Sequence, residues 1–281
     1  MAIINKHKNW CVIILTILAF SSCKKQVEIP PPATLISSDN VFTNDQTAIA
    51  VLTGLYIEIS KQYTGYFAGR NGSSMMLGLS ADELTLHNRA LPAENTFYSN
   101  NFAKDRQGIN LWSPLYTYIF RCNAAIDGLN DQSSAQSLTP SIRKQLLGEA
   151  TFMRAFFYFY LANMYGDLPL VLTTDYKVNT LLARSPQAQI YEQIIDDLKT
   201  AKELLATDYL DVTLLNTSIE RVRPTQWAAR ALLARMYLYT SDYVNAELES
   251  SAVIENSLFN LPSLNDAFLK TSLEAIWQVQ P

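Results

Sequence analysis

The stretch from Ile142 to Met164 constrains this chain more than any other. Ile142, Leu146, Ala150, Met153, Phe157, Leu161 and Met164 return every three or four positions, the period that places them on one face of an α-helix. Phe156, Tyr158, Phe159 and Tyr160 add apolar surface on the remaining sides. A helix that is apolar nearly all round has to be surrounded by other elements. The spacing therefore predicts a buried central helix. Ser141 follows Pro140 near its start, Gly166 ends it, and Pro169 prevents it from resuming.

The flanking segments supply the surroundings. Asn44 to Ser60 is apolar at helical spacing, with Asn44 or Thr43 as an N-cap. From Asn110, Leu111, Leu115, Ile119, Cys122 and Ile126 form one helical face. Ser185-Pro186 opens a helix carrying Ile190, Ile194, Leu198, Ala201 and Leu205, with the proline in its first turn. Thr225 can cap the next, whose expected face is Trp227, Ala231, Ala234 and Leu238. A tight turn at Ser241-Asp242 leads to a last helix with Tyr243, Ala246 and Val253. Leu233, Ala234, Tyr237 and Ala246 sit at the spacing of a tetratricopeptide repeat, in which a small residue lets two helices approach and a tyrosine fills the space beside it. The expected fold class is mainly α, with such helix pairs forming a curved stack. Residues 62 to 110 are rich in Gly, Asn, Ser and Asp with weak periodicity, and are expected as long inserted loops with a short strand at most.

The N-terminus predicts export. Lys6, His7 and Lys8 precede an apolar run from Trp10 to Phe20 that only Thr16 interrupts. That run is about half the roughly 20 residues a membrane-spanning helix needs, and small residues follow it, as in a secretory signal. Phe20-Ser21-Ser22-Cys23 resembles a bacterial lipobox, so residues 1–22 are expected to be a cleaved leader and Cys23 the lipidated residue. An ordinary signal peptide with an incidental cysteine is the alternative. Residues 23–36, with Pro30-Pro31-Pro32, are expected to be an extended tether. Residues 37–281 then form the helical domain.

Composition excludes several functions. The formal net charge is −4, so no basic field exists to attract nucleic acid. Of three cysteines, Cys11 lies in the leader and Cys23 is the expected lipid site. Cys122 is left alone on an apolar helix face, where it is expected to be a small buried hydrophobe. Of two histidines, only His87 lies outside the leader. A histidine-rich metal site is thereby excluded, and a Ser-His-Asp triad would have to use His87. No metal, cofactor or catalytic residue is expected.

Four stretches carry a family resemblance: Trp112 to Ile126; Gly148 to Leu161 ending in Tyr165-Gly166-Asp167-Leu168-Pro169-Leu170; Tyr191 with Ile194, Ile195, Asp197, Leu198 and Ala201; and Thr225 to Ala246. With the Gly-Asp-Leu-Pro turn after an Arg-Ala-aromatic helix, they resemble the N-terminal part of the SusD/RagB family over residues 37 to 281. The resemblance implies a surface-exposed outer-membrane lipoprotein, facing out of the cell, that binds glycans or other nutrients. Such a protein would sit as a lid on a TonB-dependent transporter barrel of the SusC type and would not be an enzyme. Family members run further, so a C-terminal part is expected to be missing, leaving an apolar end at Ile276 and Trp277. Lys24 and Lys25 stand where such lipoproteins often carry acids, which leaves the facing of the domain open.

Sugars present flat apolar faces and hydroxyl rims, which suit aromatic platforms beside amides, carboxylates and Arg. The segment before Trp112 supplies these types, and the resemblance implies that it contributes to the glycan site. The candidate ligand residues are Asp82, His87, Asn88, Arg89, Phe97, Tyr98, Asn101 and Arg106, with Asn100 beside them. Trp112 and Tyr116, one turn apart, are expected in the core. Arg154 and Glu149 are expected to be an internal polar pair or caps. Two other functions stay open. One is a repeat-type scaffold lipoprotein that binds only protein. The other is a hydrolase built on Asp82-Glu83 and His87, although adjacent loop carboxylates rarely face one another across a substrate.

Overall fold

The computed structural model describes residues 38–61, 67, 72–102, 111–133 and 135–279. The expected leader, Cys23, the expected proline-rich tether and Arg106 lie outside the described residues. The elements in chain order are α1 (Asp45–Ser60), α2 (Ser73–Ser80), α3 (Pro92–Tyr98), α4 (Trp112–Asn130), α5 (Pro140–Tyr165), α6 (Tyr176–Asn179), α7 (Gln187–Leu204), α8 (Gln226–Tyr239) and α9 (Tyr243–Ile254). A 3-10 turn at Ser38–Thr43 precedes α1. Among the described residues there is no strand, only two isolated bridges, Leu168 with Ser185 and Leu210 with Thr217.

The long apolar stretch forms α5, with Pro140 in its first turn. From Gln145 to Ala162 every residue is buried or half-buried, as all-round apolarity requires. α4 packs on α5, α5 on α7, α7 on α8 and α8 on α9, while α1 lies against α4 and α5. Consecutive contact of this kind is the arrangement of a repeat stack. Each fully buried Leu, Ile, Phe or Met contributes about 1.5–3 kcal/mol of transfer free energy, and Leu115, Ile119, Leu146, Met153 and Phe157 are all of that kind.

Gly166 stops α5 with φ at +70°, a value that side chains resist. The following segment is tied down from several sides. Asp167 accepts from the Gln187 N–H at 2.9 Å, and Tyr116 donates to the Pro169 carbonyl at 2.7 Å. Tyr158 and Asn123 both donate to the Val171 carbonyl. Pro186 occupies the N-cap of α7 instead of its first turn, and Asp167 supplies the capping oxygen. Asn44 caps α1 as expected, accepting from the Gln46 N–H.

Three expectations need correction. Residues 62 to 110 hold two short helices, α2 and α3, where loops were expected. Met76, Leu79 and Phe97 give that hairpin its own small core, a contact between segments that no single helical window reveals. The buried face of α8 is Ala229, Leu233, Met236 and Tyr237, while Leu238 is exposed. The difference is a rotation of the helix that brings the repeat-like Leu233, Ala234 and Tyr237 inward. Thr225 stands at the N-cap of α8, but its hydroxyl makes no capping bond.

Gly128 of α4 faces Phe42, and a Cβ added there would overlap the Phe42 ring. Gly128→Ala gains about 1 kcal/mol of helix propensity, against an overpacking cost of about 1–3 kcal/mol. Net destabilisation is therefore expected on chemical denaturation. Equal or higher stability would show that Phe42 swings away freely.

Candidate functional site

The helix hairpin α2–α3 carries most of the candidate residues. Asp82 and Asn100 both take positive φ, 60° and 49°, at the turns that end the two helices. Ser80 donates to the Phe97 carbonyl, and the Asn100 amide returns a bond to the Ser80 carbonyl at 3.0 Å. Asp82, His87, Asn88, Arg89 and Asn101 are exposed. The Asn88 side chain accepts from the Ala90 N–H, and so shapes its own turn. The Arg89 guanidinium lies 5.3 Å from the centre of the half-buried Tyr98 ring. Phe97 belongs to the hairpin core and is 8 % exposed, edge-on to Phe102 at 5.1 Å. Among the described residues no hydrogen bond or ion pair links Asp82 or Glu83 with His87.

A concavity lies beside this hairpin, and none of the described candidate residues lines it. It measures about 620 Å³ and is bounded by Ser74, Met75 and Leu84 on the hairpin side, with Phe67, Phe156, Tyr160, Trp277 and Val279 around the rest. The rings form a continuous wall. Phe156 and Tyr160 are 5.0 Å apart, Phe67 is 5.2 Å from Phe156, and Trp277 stands edge-on to Phe156 at 5.3 Å. Sequence reasoning missed this wall because the surplus aromatics of α5 read only as burial. The surplus was the available signal, since Phe156 and Tyr160 remain half-buried.

A second cavity of about 440 Å³ lies between the 277–279 segment and α1 and shares Trp277 and Val279 with the first. Ile49, Thr53, Tyr56, Val222, Arg223, Trp277 and Val279 contribute to its lining. Its polar floor is already committed. Arg223 pairs with Glu149 at 2.8 Å and donates to Thr53, and Tyr56 donates to Glu149 at 2.8 Å. Burial, followed by the Glu149 charge, pushes the Tyr56 phenol well above its ordinary pKa, so it stays a donor. Ile276 and Trp277, expected as an open apolar end, are half-buried against the core, and the indole N–H donates to the Val222 carbonyl.

The remaining polar residues of the motifs are internal. Arg154 does not pair with Glu149. It forms a two-pronged bridge to Asp197 at 2.7 and 2.8 Å and also donates to Asn123. Trp112 and Tyr116 are half-buried 5.1 Å apart, with Tyr165 edge-on to Trp112 and Arg184 over its ring. Cys122 is fully buried, and burial raises its thiol pKa far above the ordinary value. Among the described residues no group of histidine, cysteine and carboxylate side chains could hold a metal ion. No described helix is long and apolar enough to cross a membrane.

The comparisons agree on one family. The family model that matches residues 44–238 is described as SusD-like, starch-binding associating with outer membrane. SusD-like protein P2 of Formosa agariphila is 26% identical over 256 residues, covering 89% of this chain and 46% of its own. The chain thus spans about half the length of the curated relatives it matches. A SusD superfamily protein from Bacteroides vulgatus superposes with a TM-score of 0.69 at 22% identity, over 85% of this chain and 51% of that one. A laminarin-binding SusD-like protein does so at 0.66 and 20% identity, over 80% and 48%.

Proposed function

Because the chain belongs to the SusD-like family of starch-binding, outer-membrane-associated proteins, we propose that it is a lipid-anchored glycan-binding protein that passes oligosaccharides to a TonB-dependent transporter barrel. The match of the family model to residues 44–238 carries the reading. The aromatic wall of Phe156, Tyr160 and Trp277 supports it, because half-buried rings bordering a concavity can meet the apolar face of a sugar. On the same hairpin, the Arg89–Tyr98 pair and the exposed Asn88, Asn101, His87 and Asp82 offer hydrogen-bonding groups for a hydroxyl rim. In this reading the protein binds and releases and carries out no reaction. Cys23 holds it to the outer membrane through lipid.

Affinity electrophoresis in gels containing soluble starch or laminarin tests the binding. Retardation is expected, and Arg89→Ala or Tyr98→Ala should each weaken it roughly fivefold, the scale of an exposed cation–ring contact plus a polar contact. Radiolabelled palmitate should be incorporated by the intact chain and lost in Cys23→Ala. Unretarded migration in every polysaccharide, with no barrel co-purifying from the native membrane, would sink the reading.

One observation favours a protein-binding scaffold instead. Tyr243, Val244 and Leu248 of α9 are exposed on one side of the stack. A gene for a TonB-dependent barrel beside this one would count against the scaffold.

A further inference from the structure

The aromatic wall does not stop at the cavity. Tyr160, which lines it, lies 5.4 Å from Phe159, and Phe159 lies 5.7 Å from Tyr239 of α8 in a tilted stack. Phe159 is buried and backs the Tyr239 ring, which is 49 % exposed. The Arg235 guanidinium sits 5.9 Å from the same Phe159 ring. Tyr191 of α7 lies within electrostatic reach of Tyr239, its hydroxyl donating to Asn163 at 2.9 Å. Burial raises the Tyr160 phenol pKa, Arg235 lowers it and Tyr239 raises it, so all three groups lie within electrostatic reach.

Polar chemistry distinguishes this patch from an ordinary apolar face. Among the described residues no hydrogen bond or ion pair engages the Tyr160 hydroxyl, the Tyr239 hydroxyl or the Arg235 guanidinium. Elsewhere on the stack the comparable groups are used: Arg154 by Asp197, Arg223 by Glu149, Arg230 by Glu249. Two phenols can each donate and accept, and a guanidinium only donates. Set around a supported ring face, they match a molecule with an apolar side and a dense rim of hydroxyls.

We propose that Tyr239, Arg235 and Tyr160, backed by Phe159 and flanked by Tyr191, form a second saccharide-contacting surface that continues the cavity wall across α5, α7 and α8. The inference rests on the glycan-binding reading and deepens it. The ligand class becomes an extended chain of neutral sugars, held at the cavity and again at Tyr239, in place of a single sugar held at one point.

The test uses the full chain with a short and a long oligosaccharide of one linkage, prepared from whichever of starch or laminarin retards the protein. Tyr239→Ala and Arg235→Ala alter exposed side chains, and thermal melting confirms that the variants fold. Each should weaken the long oligosaccharide about tenfold by calorimetry, the scale of one stacked or charge-assisted contact, and leave the short one unchanged. Tyr239→Phe should fall between. Unchanged affinity for the long oligosaccharide, or equal weakening of both, would overturn the inference while leaving the glycan reading intact. Unchanged glycan affinity with loss of a co-purifying barrel would overturn it in favour of a protein-contacting surface. Binding of neither polysaccharide by the unaltered protein would overturn the reading and the inference together.

Discussion

Arg223→Ala should destabilise the fold by about 3–5 kcal/mol, because it leaves a buried carboxylate without its counter-charge. Glu149 is wholly buried and Arg223 nearly so, with side-chain exposures of 0% and 7%. Burial alone would lower the guanidinium pKa, and the Glu149 charge reverses that. The pair is also the knot of a wider network. Gln145 donates to Glu149, accepts from the Ala206 N–H and reaches the Pro224 carbonyl. Thr53 and Tyr56 bring in α1. Segments that α5 does not touch in sequence are thereby held to it. At about 2–4 °C per kcal/mol for a domain of this size, the melting midpoint should fall by roughly 10 °C. Glu149→Leu combined with Arg223→Leu should recover part of the loss, since an apolar pair carries no desolvation cost. Recovery stays partial because Tyr56 and Gln145 then lose their acceptor. A loss under about 1 kcal/mol in the single variant would mean that water or another group replaces Arg223 at little cost.

Phe157→Ala should cost a similar amount, about 3–5 kcal/mol, by a different route. The ring is fully buried and lies 5.1 Å from Tyr118 on α4 and 5.7 Å from Phe67. Truncation leaves a void between α4 and α5, the two longest helices of the stack. Phe67 and Phe156 also border the candidate cavity, so the wall should loosen as well as the core. Urea unfolding would give the stability loss. An unchanged midpoint would mean that neighbouring rings collapse into the gap.

The sequence was most informative where one helix decides its own fate. The period from Ile142 to Met164 predicted α5, and Gly166 with Pro169 marked its end, because periodicity and backbone stops are local properties. The repeat signature at Leu233, Ala234, Tyr237 and Ala246 held because it encodes a packing contact in residue size. On the same helix the expected face is right at Ala234 and wrong at Leu238, which is exposed, since amphipathicity is weak in a helix rich in alanine. The hairpin of α2 and α3 was not legible, because Met76, Leu79 and Phe97 meet only after the chain folds back. The site was harder still. Asp82, His87, Asn88, Arg89 and Asn101 offer sugar-compatible chemistry in the sequence, and each is exposed on that hairpin. The cavity wall beside them comes from Phe67, α5 and Trp277, residues as far as 210 positions apart. Buried and half-buried aromatics look identical in a sequence, and only the arrangement of the helices separates Phe157 from Phe156.

The serial packing of α4, α5, α7, α8 and α9 has a consequence for how the molecule breathes. α5 is enclosed by α1, α4 and α7, whereas α9 rests mainly on α8, with the Glu249–Lys202 bridge to α7 as its outer tie. Local opening free energy follows the number of neighbours that must be given up. Among the helices of the stack, opening should therefore cost least at α9 and most at α5. Amide exchange should therefore be slower at the Tyr160 end of the aromatic wall, on α5, than at the Tyr239 end, on the helix that carries α9.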